Sequence, residues 1–402
     1  MLRRALIAPV AAAILLPCAP GYADDVRGSQ RVVLETLQLS KAWQVSRGAG
    51  VTVAVLDSGV DPGHRDLAGS VVEGKDFTEG ANPPGVPPSR LHGTYMASLI
   101  VGHGHGPGGH MGVIGVAPKA RVLSVRVILE DEEPGFKQFS SAEKYEAVVA
   151  KGIRHAVDRG ATVINMSISK ELATREERAA IRYAISKGVV LVAAAGNDGA
   201  RKPDASGFAP YSYPAAFPGV VSVAAIDRGL RRASFSNWNP SVMVAAPGVD
   251  IPGAGPGNAY WVGRGTSQAT ALVSGVAALI KAKYPDMSPA LVVQALTAGA
   301  TRRPTGGYNT GTGFGVVNAA GALAEAGRLA RHTHTAAGAG VHDPDRPLGT
   351  PAEPIQVIHR DERRITVYSA IAIAAALAAL ATVGLLAALV RRVRRTETPQ
   401  DA

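Results

Sequence analysis

Three short segments carry the residue types needed for acyl transfer. Asp57 ends an apolar run, His92 opens the triplet His92-Gly-Thr94, and Ser267 lies in residues 265–270, Gly-Thr-Ser-Gln-Ala-Thr. A hydroxyl nucleophile, an imidazole base and a carboxylate that orients the imidazole are the parts that a serine hydrolase requires. The three residues therefore predict a Ser-His-Asp peptidase.

Apolar runs alternate with helix-like stretches along the middle of the chain. The runs typical of buried strands are 51–56, 121–127, 161–166, 189–195, 220–226 and 242–246. Stretches such as 142–158 and 172–187 have the periodicity of helices. This alternation favours an α/β fold with a central, mostly parallel sheet and helices on both faces. Active sites in such sheets lie at the carboxyl ends of strands, where Asp57 is predicted.

His92 and Ser267 are each predicted at the start of a helix. One helix is predicted over 94–101, just after His92, and another over 269–283, just after Ser267. The second is apolar on nearly every side, as expected of a buried helix. Helix N-termini carry free N–H groups and the positive end of the helix dipole, which bind developing negative charge. This position suits a nucleophile whose tetrahedral intermediate carries an oxyanion.

The N-terminus has the pattern of a secretory signal peptide over residues 1–23. Two arginines precede a short apolar stretch, and small residues precede the predicted cleavage site before Asp24. The alternatives are a retained anchor, which the prolines in this stretch disfavour, and a lipoprotein modified at Cys18, which Pro17 disfavours. Cys18 is the only cysteine, so the exported part is predicted to have neither disulfides nor thiol chemistry.

Residues 367–390 are predicted to form a transmembrane helix. They contain no charged residue, and at about 1.5 Å per residue they reach roughly 36 Å, enough to cross an apolar core of about 30 Å. The tail 391–402 contains four arginines, which under the positive-inside rule place it in the cytoplasm. The prediction is a single-pass protein of the cell membrane whose N-terminal domain is extracellular. The alternative is an Ala-rich buried helix.

The remaining domain boundaries follow from composition. Residues 24–46 are predicted to form an N-terminal extension, with a helix-like stretch from Leu34 to Val45. Residues 47–328 are predicted to form the peptidase domain. Residues 329–364, rich in Pro, Gly and His, are predicted to form a linker to the membrane helix.

The charge distribution argues against a nucleic-acid partner. The formal net charge is +10, but residues 24–330 contain 31 Lys and Arg against 25 Asp and Glu, a net of +6. No sustained basic run is present in this region. The expected partners are protein or peptide substrates and a membrane, with no nucleic acid.

Four segments in this order resemble the signature segments of the subtilisin-like serine peptidases. They are Val53-Ala-Val-Leu-Asp57-Ser-Gly59, His92-Gly-Thr94, Ala194-Ala-Gly196-Asn197-Asp-Gly199, and Gly265-Thr-Ser267 with the later Val273-Ser-Gly275. The resemblance covers about residues 31–325 and implies the subtilisin-like fold. It also implies catalytic roles for Asp57, His92 and Ser267 and an oxyanion-hole donor at Asn197. No cofactor and no metal ligands are expected.

The segment Asn165-Met-Ser-Ile-Ser169 resembles the part of the family that lines the cleft and pairs with an extended peptide. The resemblance implies substrate contacts at Ser167, Ile168 and Ser169. Lys170 departs from the pattern, because many relatives carry glycines there. Its side chain would narrow the cleft or favour acidic substrates, or it is a solvated lysine at the start of a loop.

Departures near two signature segments indicate one branch of the family. Tyr95-Met-Ala-Ser98 stands where many members have His-Val-Ala-Gly, and Gln268 and Ala271-Leu272 replace the common Met and Pro-His. Together with a C-terminal anchor, these features resemble the mycosins, the membrane-anchored subtilases associated with type VII secretion systems. The resemblance implies processing of secretion substrates and stabilisation of the secretion complex. Two alternatives stay open: a scaffold that acts independently of proteolysis, and a general degradative peptidase at the cell surface.

Two loops contain residue types that bind metal ions in other proteins. His103, His105 and His110 lie in a glycine-rich stretch without the rigid i,i+4 spacing of a metal site, so a flexible loop is expected. The acidic cluster Glu130 to Glu133 has the chemistry to attract Ca²⁺, but consecutive carboxylates on a loop are usually solvated. The sequence leaves calcium dependence open.

Overall fold

The computed structural model describes residues 14–17, 26–203, 206–338 and 362–396 of the chain. These fall into two units, residues 1–339 and residues 340–402. The described strands are β1 (Ile14–Pro17), β2 (Thr52–Asp57), β3 (Val71–Asp76), β4 (His103–His105), β5 (Met111–Ile114), β6 (Arg121–Arg126), β7 (Val163–Met166), β8 (Val190–Ala194), β9 (Val220–Ile226), β10 (Val242–Pro247), β11 (Ile251–Gly255) and β12 (Ala259–Arg264). The described helices are α1 (Val26–Ser29), α2 (Arg31–Thr36), α3 (Leu39–Ala42), α4 (Leu91–Val101), α5 (Phe136–Ser141), α6 (Val148–Asp158), α7 (Arg175–Ser186), α8 (Thr266–Lys283), α9 (Pro289–Ala298), α10 (Ala319–Gly338) and α11 (Glu362–Thr396).

Seven of the described strands form a parallel sheet in the order β10-β9-β8-β7-β2-β6-β3. The six apolar runs of the sequence are all strands of this sheet, because parallel strands covered on both faces consist of nearly continuous apolar residues. The seventh, β3, lies at the edge, and its residues are half-buried or exposed. Its mixed sequence, Val-Val-Glu-Gly-Lys-Asp, explains why the hydrophobic pattern did not predict it.

Helices cover both faces of the sheet. Val53 and Val55 of β2 belong to an apolar cluster that includes residues of α4 and α8. Ala54 and Leu56, which point to the opposite face, belong to a second cluster with residues of α6 and α7. The predicted α/β class with helices on both faces is confirmed, and both faces of the strand that carries Asp57 are buried.

The N-terminal extension packs onto the peptidase domain. The predicted helix from Leu34 to Val45 is instead interrupted, because Gln38 adopts a left-handed conformation (φ 52°) between α2 and α3. The Leu37 carbonyl accepts the Ala319 N–H of α10 at 2.9 Å. The extension is therefore joined to the last helix of the catalytic unit.

The two ends of the chain differ in part from the predicted boundaries. Strand β1, within the predicted signal peptide, pairs antiparallel with β12. Helix α10 continues to Gly338, past residue 329, where the linker was predicted to begin. Helix α11 contains the apolar span Thr366–Leu389, with a mean hydropathy of 2.4, which is long and apolar enough to cross a membrane.

Candidate active site

Asp57 and His92 form a hydrogen-bonded pair at the carboxyl end of β2. The buried carboxylate of Asp57 accepts the Nδ1–H of His92 at 2.8 Å on Oδ1, the oxygen that also accepts the Ser58 N–H at 2.8 Å. Because Nδ1 donates to a carboxylate, the neutral ring keeps its lone pair on Nε2. Nε2 is then the atom that can accept a proton from a hydroxyl.

The first turn of α4 is held against the backbone that follows Asp57. The Gly93 N–H donates to the Ser58 hydroxyl at 3.0 Å. A Cβ atom on Gly93 would lie 2.0 Å from the Gly59 carbonyl oxygen. Only glycine permits this approach, which brings the His92 ring to Asp57.

The surroundings of His92 favour the protonated ring. Burial lowers its pKa, but the Asp57 carboxylate, through its charge and its hydrogen bond, together with the Glu130 carboxylate raises the pKa above the ordinary histidine value. Opposite charges nearby stabilise an imidazolium. The site thus stabilises the ion that forms when His92 takes a proton.

Ser267 is the second residue of α8 and is buried. Its hydroxyl donates to the Ser167 carbonyl at 3.3 Å, and the Ser167 hydroxyl donates to the Ser267 carbonyl at 3.0 Å. Ser267 is thus held to the segment that follows β7, and its hydroxyl points to Ser167 rather than to His92. Catalytic hydrogen bonds are often long or poorly aligned before substrate binds and tighten in the complex.

Asn197 follows β8, and its side chain has a defined orientation. Its Oδ1 accepts both the N–H and the hydroxyl of Thr266 at 2.9 Å each. A backbone N–H can only donate, so the oxygen must face Thr266 and the NH₂ group faces away from it. The NH₂ group of Asn197 is therefore a hydrogen-bond donor beside Thr266, the residue before Ser267.

The three predicted substrate-binding residues lie just beyond β7, where β7 and β8 no longer pair. Ser167 and Ile168 are buried, and the Ser169 hydroxyl contacts the Ser212 hydroxyl at 2.6 Å. Of the three, Ser167 contacts Ser267 directly through the two hydrogen bonds between them.

Lys170 differs from both interpretations of the sequence. Its ammonium group forms an ion pair with the buried carboxylate of Glu177. Its backbone exchanges two hydrogen bonds with Tyr213, at 2.9 and 2.8 Å. Since its charge is matched within the fold, Lys170 is neither a solvated loop lysine nor a free cation in the cleft.

The acidic cluster Glu130 to Glu133 is not simply a solvated loop. Glu130 accepts the His92 backbone N–H at 2.9 Å, and Glu133 is buried in an ion pair with Arg126 at 2.6 Å. Sequence reasoning missed the contact of Glu130 with the active site, because its partners are distant along the chain. No group of three His, Cys, Asp or Glu that could hold a metal ion occurs within the described ranges.

The glycine- and histidine-rich stretch is ordered rather than a flexible loop. His103 and His105 lie in β4, which pairs with β5. His105 Nδ1 contacts the buried carboxylate of Asp66 at 2.6 Å. Arg27 of the N-terminal extension donates to the carbonyls of Gly109 and Gly112 at 3.0 Å each. These contacts fix a stretch whose composition indicates flexibility.

Two departures from the family pattern lie at fully buried positions. The fully buried Tyr95 donates its hydroxyl to the Ile251 carbonyl, and a Cβ atom on Gly253 would lie 1.8 Å from its ring. A glycine in β11 therefore makes room for the tyrosine. Gln268, also fully buried, makes no side-chain hydrogen bond with the described residues.

Comparison with known proteins agrees with this fold. The sequence profile of the Subtilase family matches residues 48–315. Thermitase of Thermoactinomyces vulgaris is 35% identical over 264 residues, which are 66% of this chain and 85% of thermitase. Subtilisin E of Bacillus subtilis is 35% identical over 254 residues, which are 63% of this chain and 61% of subtilisin E. The chain belongs to the subtilase family of serine peptidases.

Solved structures of mycosins are also similar to this chain. MycP3, a protease from the type VII (ESX-3) secretion system, aligns with a TM-score of 0.63 and 32% identity, over 80% of this chain and 93% of MycP3. MycP1 from Mycobacterium smegmatis aligns with a TM-score of 0.61 and 31% identity, over 78% of this chain and 88% of MycP1. The resemblance to the mycosin branch is confirmed.

Proposed function

We propose that this chain is a membrane-anchored serine endopeptidase whose triad is Asp57, His92 and Ser267. The observation that carries the proposal is the hydrogen bond between buried Asp57 and the Nδ1 of His92, at the carboxyl end of a central strand. That bond fixes the tautomer that leaves Nε2 able to take a proton. Ser267 supplies the hydroxyl from the first turn of α8, where backbone N–H groups have no partner within the helix.

The chemistry follows from these positions. His92 accepts the Ser267 proton as the hydroxyl attacks the peptide carbonyl, and then gives it to the leaving amine. The acyl-enzyme is hydrolysed when water replaces the amine and the same proton transfers are repeated. Asn197 and the Ser267 N–H donate to the oxyanion of each tetrahedral intermediate. Ser167, Ile168 and Ser169 lie beside the nucleophile, where they contact the substrate on the acyl side of the scissile bond.

Substitution of Asn197 tests the oxyanion role. Asn197→Ala and Asn197→Asp both remove the NH₂ donor, so each should lower kcat by about 10²–10³-fold with little change in KM. Asp keeps the oxygen that accepts from Thr266, so thermal unfolding of that variant should stay near wild type. Steady-state hydrolysis of a peptide substrate provides the measurement. If Asn197→Asp kept full kcat, Asn197 would not be the oxyanion donor.

We also propose that residues 1–23 are removed on export and that the apolar span of α11 anchors the protein. The four arginines after that span favour a topology in which the tail is cytoplasmic and the peptidase domain, joined through the linker, is outside the cell. The likeness to MycP1 and MycP3, which are described as proteases of type VII secretion systems, supports a substrate among proteins exported by such a system.

The Ser267→Ala variant distinguishes processing from scaffolding. It removes the nucleophile but leaves the surface of the protein intact, so peptidase activity should be lost while the secretion complex persists. Comparative proteomics of secreted proteins should show that one defined neo-N-terminus present in wild type disappears in the variant. Normal secretion in the variant, despite the loss of peptidase activity, would favour the scaffold. Loss of many unrelated cleavages would favour general degradation.

A further inference from the structure

Glu130 joins the loop after β6 to the catalytic histidine. Its Oε1 accepts the backbone N–H of His92 at 2.9 Å, and its Oε2 accepts the Ser89 hydroxyl at 2.8 Å. Glu130, which is not part of α4, thus uses both carboxylate oxygens to hold the start of that helix. The helix needs such a partner, because the residue at its N-cap, Arg90, makes no side-chain capping bond.

The Glu130 backbone is itself fixed by a buried charge pair. The Glu130 N–H donates to Glu133 Oε1 at 3.1 Å, and Glu133 Oε2 accepts from Arg126 at 2.6 Å. Glu133 and Arg126 are both buried. Buried pairs with several hydrogen bonds hold a defined geometry, because a broken pair leaves an uncompensated charge.

The same arginine is joined to the backbone beside Asp57. Arg126 donates through Nε to the Ser58 carbonyl at 3.1 Å and through Nη1 to Asp76 at 3.0 Å. A continuous path of contacts therefore runs from Ser58 through Arg126, Glu133 and Glu130 to the His92 N–H. It is separate from the direct hydrogen bond between Asp57 and His92.

We propose that Glu130 is a positioning residue for catalysis, which holds the His92 backbone at the start of α4 and keeps a negative charge beside it. This inference rests on the proposed role of His92 as general base. Glu130 acts by positioning His92, because its carboxylate contacts the His92 backbone rather than the imidazole ring.

The charge of Glu130 acts on His92 in a known direction. Asp57 and Glu130 are the carboxylates that raise the His92 pKa against the effect of burial. Around Glu130 itself lie Asp131 and Glu132, which share its loop, and Glu133, which is paired with Arg126. Removing the negative charge of Glu130 must lower the His92 pKa. The ring is then neutral, and able to act as a base, at lower pH.

Two substitutions separate the effect of the hydrogen bond to His92 from the effect of the negative charge of Glu130. Glu130→Gln keeps an oxygen for the His92 N–H but loses the charge, whereas Glu130→Ala loses both. Glu132→Gln is the matched control, because Glu132 is exposed and lies in the same loop. The full-length protein in detergent is labelled with a fluorophosphonate probe, which reacts with the activated hydroxyl of Ser267. The end point of labelling gives the fraction of folded sites. The labelling rate as a function of pH gives the pKa of His92, which acts as the base.

The expected result is a distinct pattern for each variant. Glu130→Gln should keep the maximal labelling rate within about threefold, with the acid limb shifted to lower pH. Glu130→Ala should show the same shift and a maximal rate lower by about tenfold or more, because small displacements of a catalytic group are costly. Glu132→Gln should match wild type in both respects.

Other outcomes overturn the proposal. Equal shifts in Glu130→Gln and Glu132→Gln would mean that only the total charge of the loop matters. If Glu130→Ala had fewer labelled sites but kept the wild-type labelling rate and pH profile, the role of Glu130 would be purely structural. Labelling of Ser267→Ala at the wild-type rate would instead contradict the proposed triad, so the two failures are distinguishable.

Discussion

Asp57→Asn is expected to lower kcat by about 10⁴-fold at neutral pH while the domain stays folded. Asn is close to Asp in volume, and its carbonyl oxygen can still accept the Ser58 N–H that Asp57 Oδ1 accepts now. The negative charge that stabilises protonated His92 is lost. Since that charge raises the His92 pKa, the acid limb of the residual activity should move to lower pH. Both quantities come from the pH profile of peptide hydrolysis.

Asp61→Asn provides the control for Asp57→Asn. Asp61 lies four residues later and accepts backbone N–H groups of Gly63 and Gly257 through its two oxygens. This variant should retain nearly full kcat, because the charge removed is not in contact with His92. A loss of less than tenfold in Asp57→Asn, with folded protein shown by circular dichroism, would remove Asp57 from the catalytic pair.

Gly93→Ala is expected to have the largest effect on the fold around the site. The added methyl group would lie 2.0 Å from the Gly59 carbonyl oxygen, so either the first turn of α4 or the turn after Asp57 must move. Overpacking of this kind typically costs about 1–3 kcal/mol or more in the free energy of unfolding. Displacement of His92 by about 1 Å should also cost on the order of 10²-fold in kcat. Chemical denaturation and steady-state kinetics measure the two effects.

Gly306→Ala adds the same methyl group in open space. No atom lies within 4 Å of a Cβ placed there, so both the unfolding free energy and kcat should stay near wild type. If Gly93→Ala unfolded like this control and kept its activity, close packing at Gly93 would not position His92.

The sheet, and the strands and helices beside the four signature segments, were predictable because their signals are local. The runs that became β2, β6, β7, β8, β9 and β10 are apolar throughout, and burial on both faces requires that composition. Asp57, His92, Ser267 and Asn197 each lie in a short segment of high specificity. Their places at strand ends and helix starts follow from the elements beside them.

The features that sequence reasoning missed depend on contacts that the local sequence pattern does not show. Burial of Glu133 is set by Arg126 and Asn82, and an isolated acidic tetrapeptide does not reveal either partner. Lys170 was misread for the same reason, since Glu177 neutralises it. The break at Gln38 has no glycine or proline to mark it. For Glu133 and Lys170, side-chain contacts override the local pattern.

The bond between the Ala319 N–H and the Leu37 carbonyl closes a loop that contains almost the entire catalytic unit. Leu37 and Leu39 lie in the same apolar cluster as Ala319 and Ala322, so side chains reinforce the closure. Fraying usually begins at chain ends, where it exposes backbone to cleavage. Here the bond holds the N-terminal extension and α10 to each other near both ends of the described part of the unit. Loosening of one segment removes a contact of the other, which limits fraying, although the only cysteine of the sequence, Cys18, permits no internal disulfide.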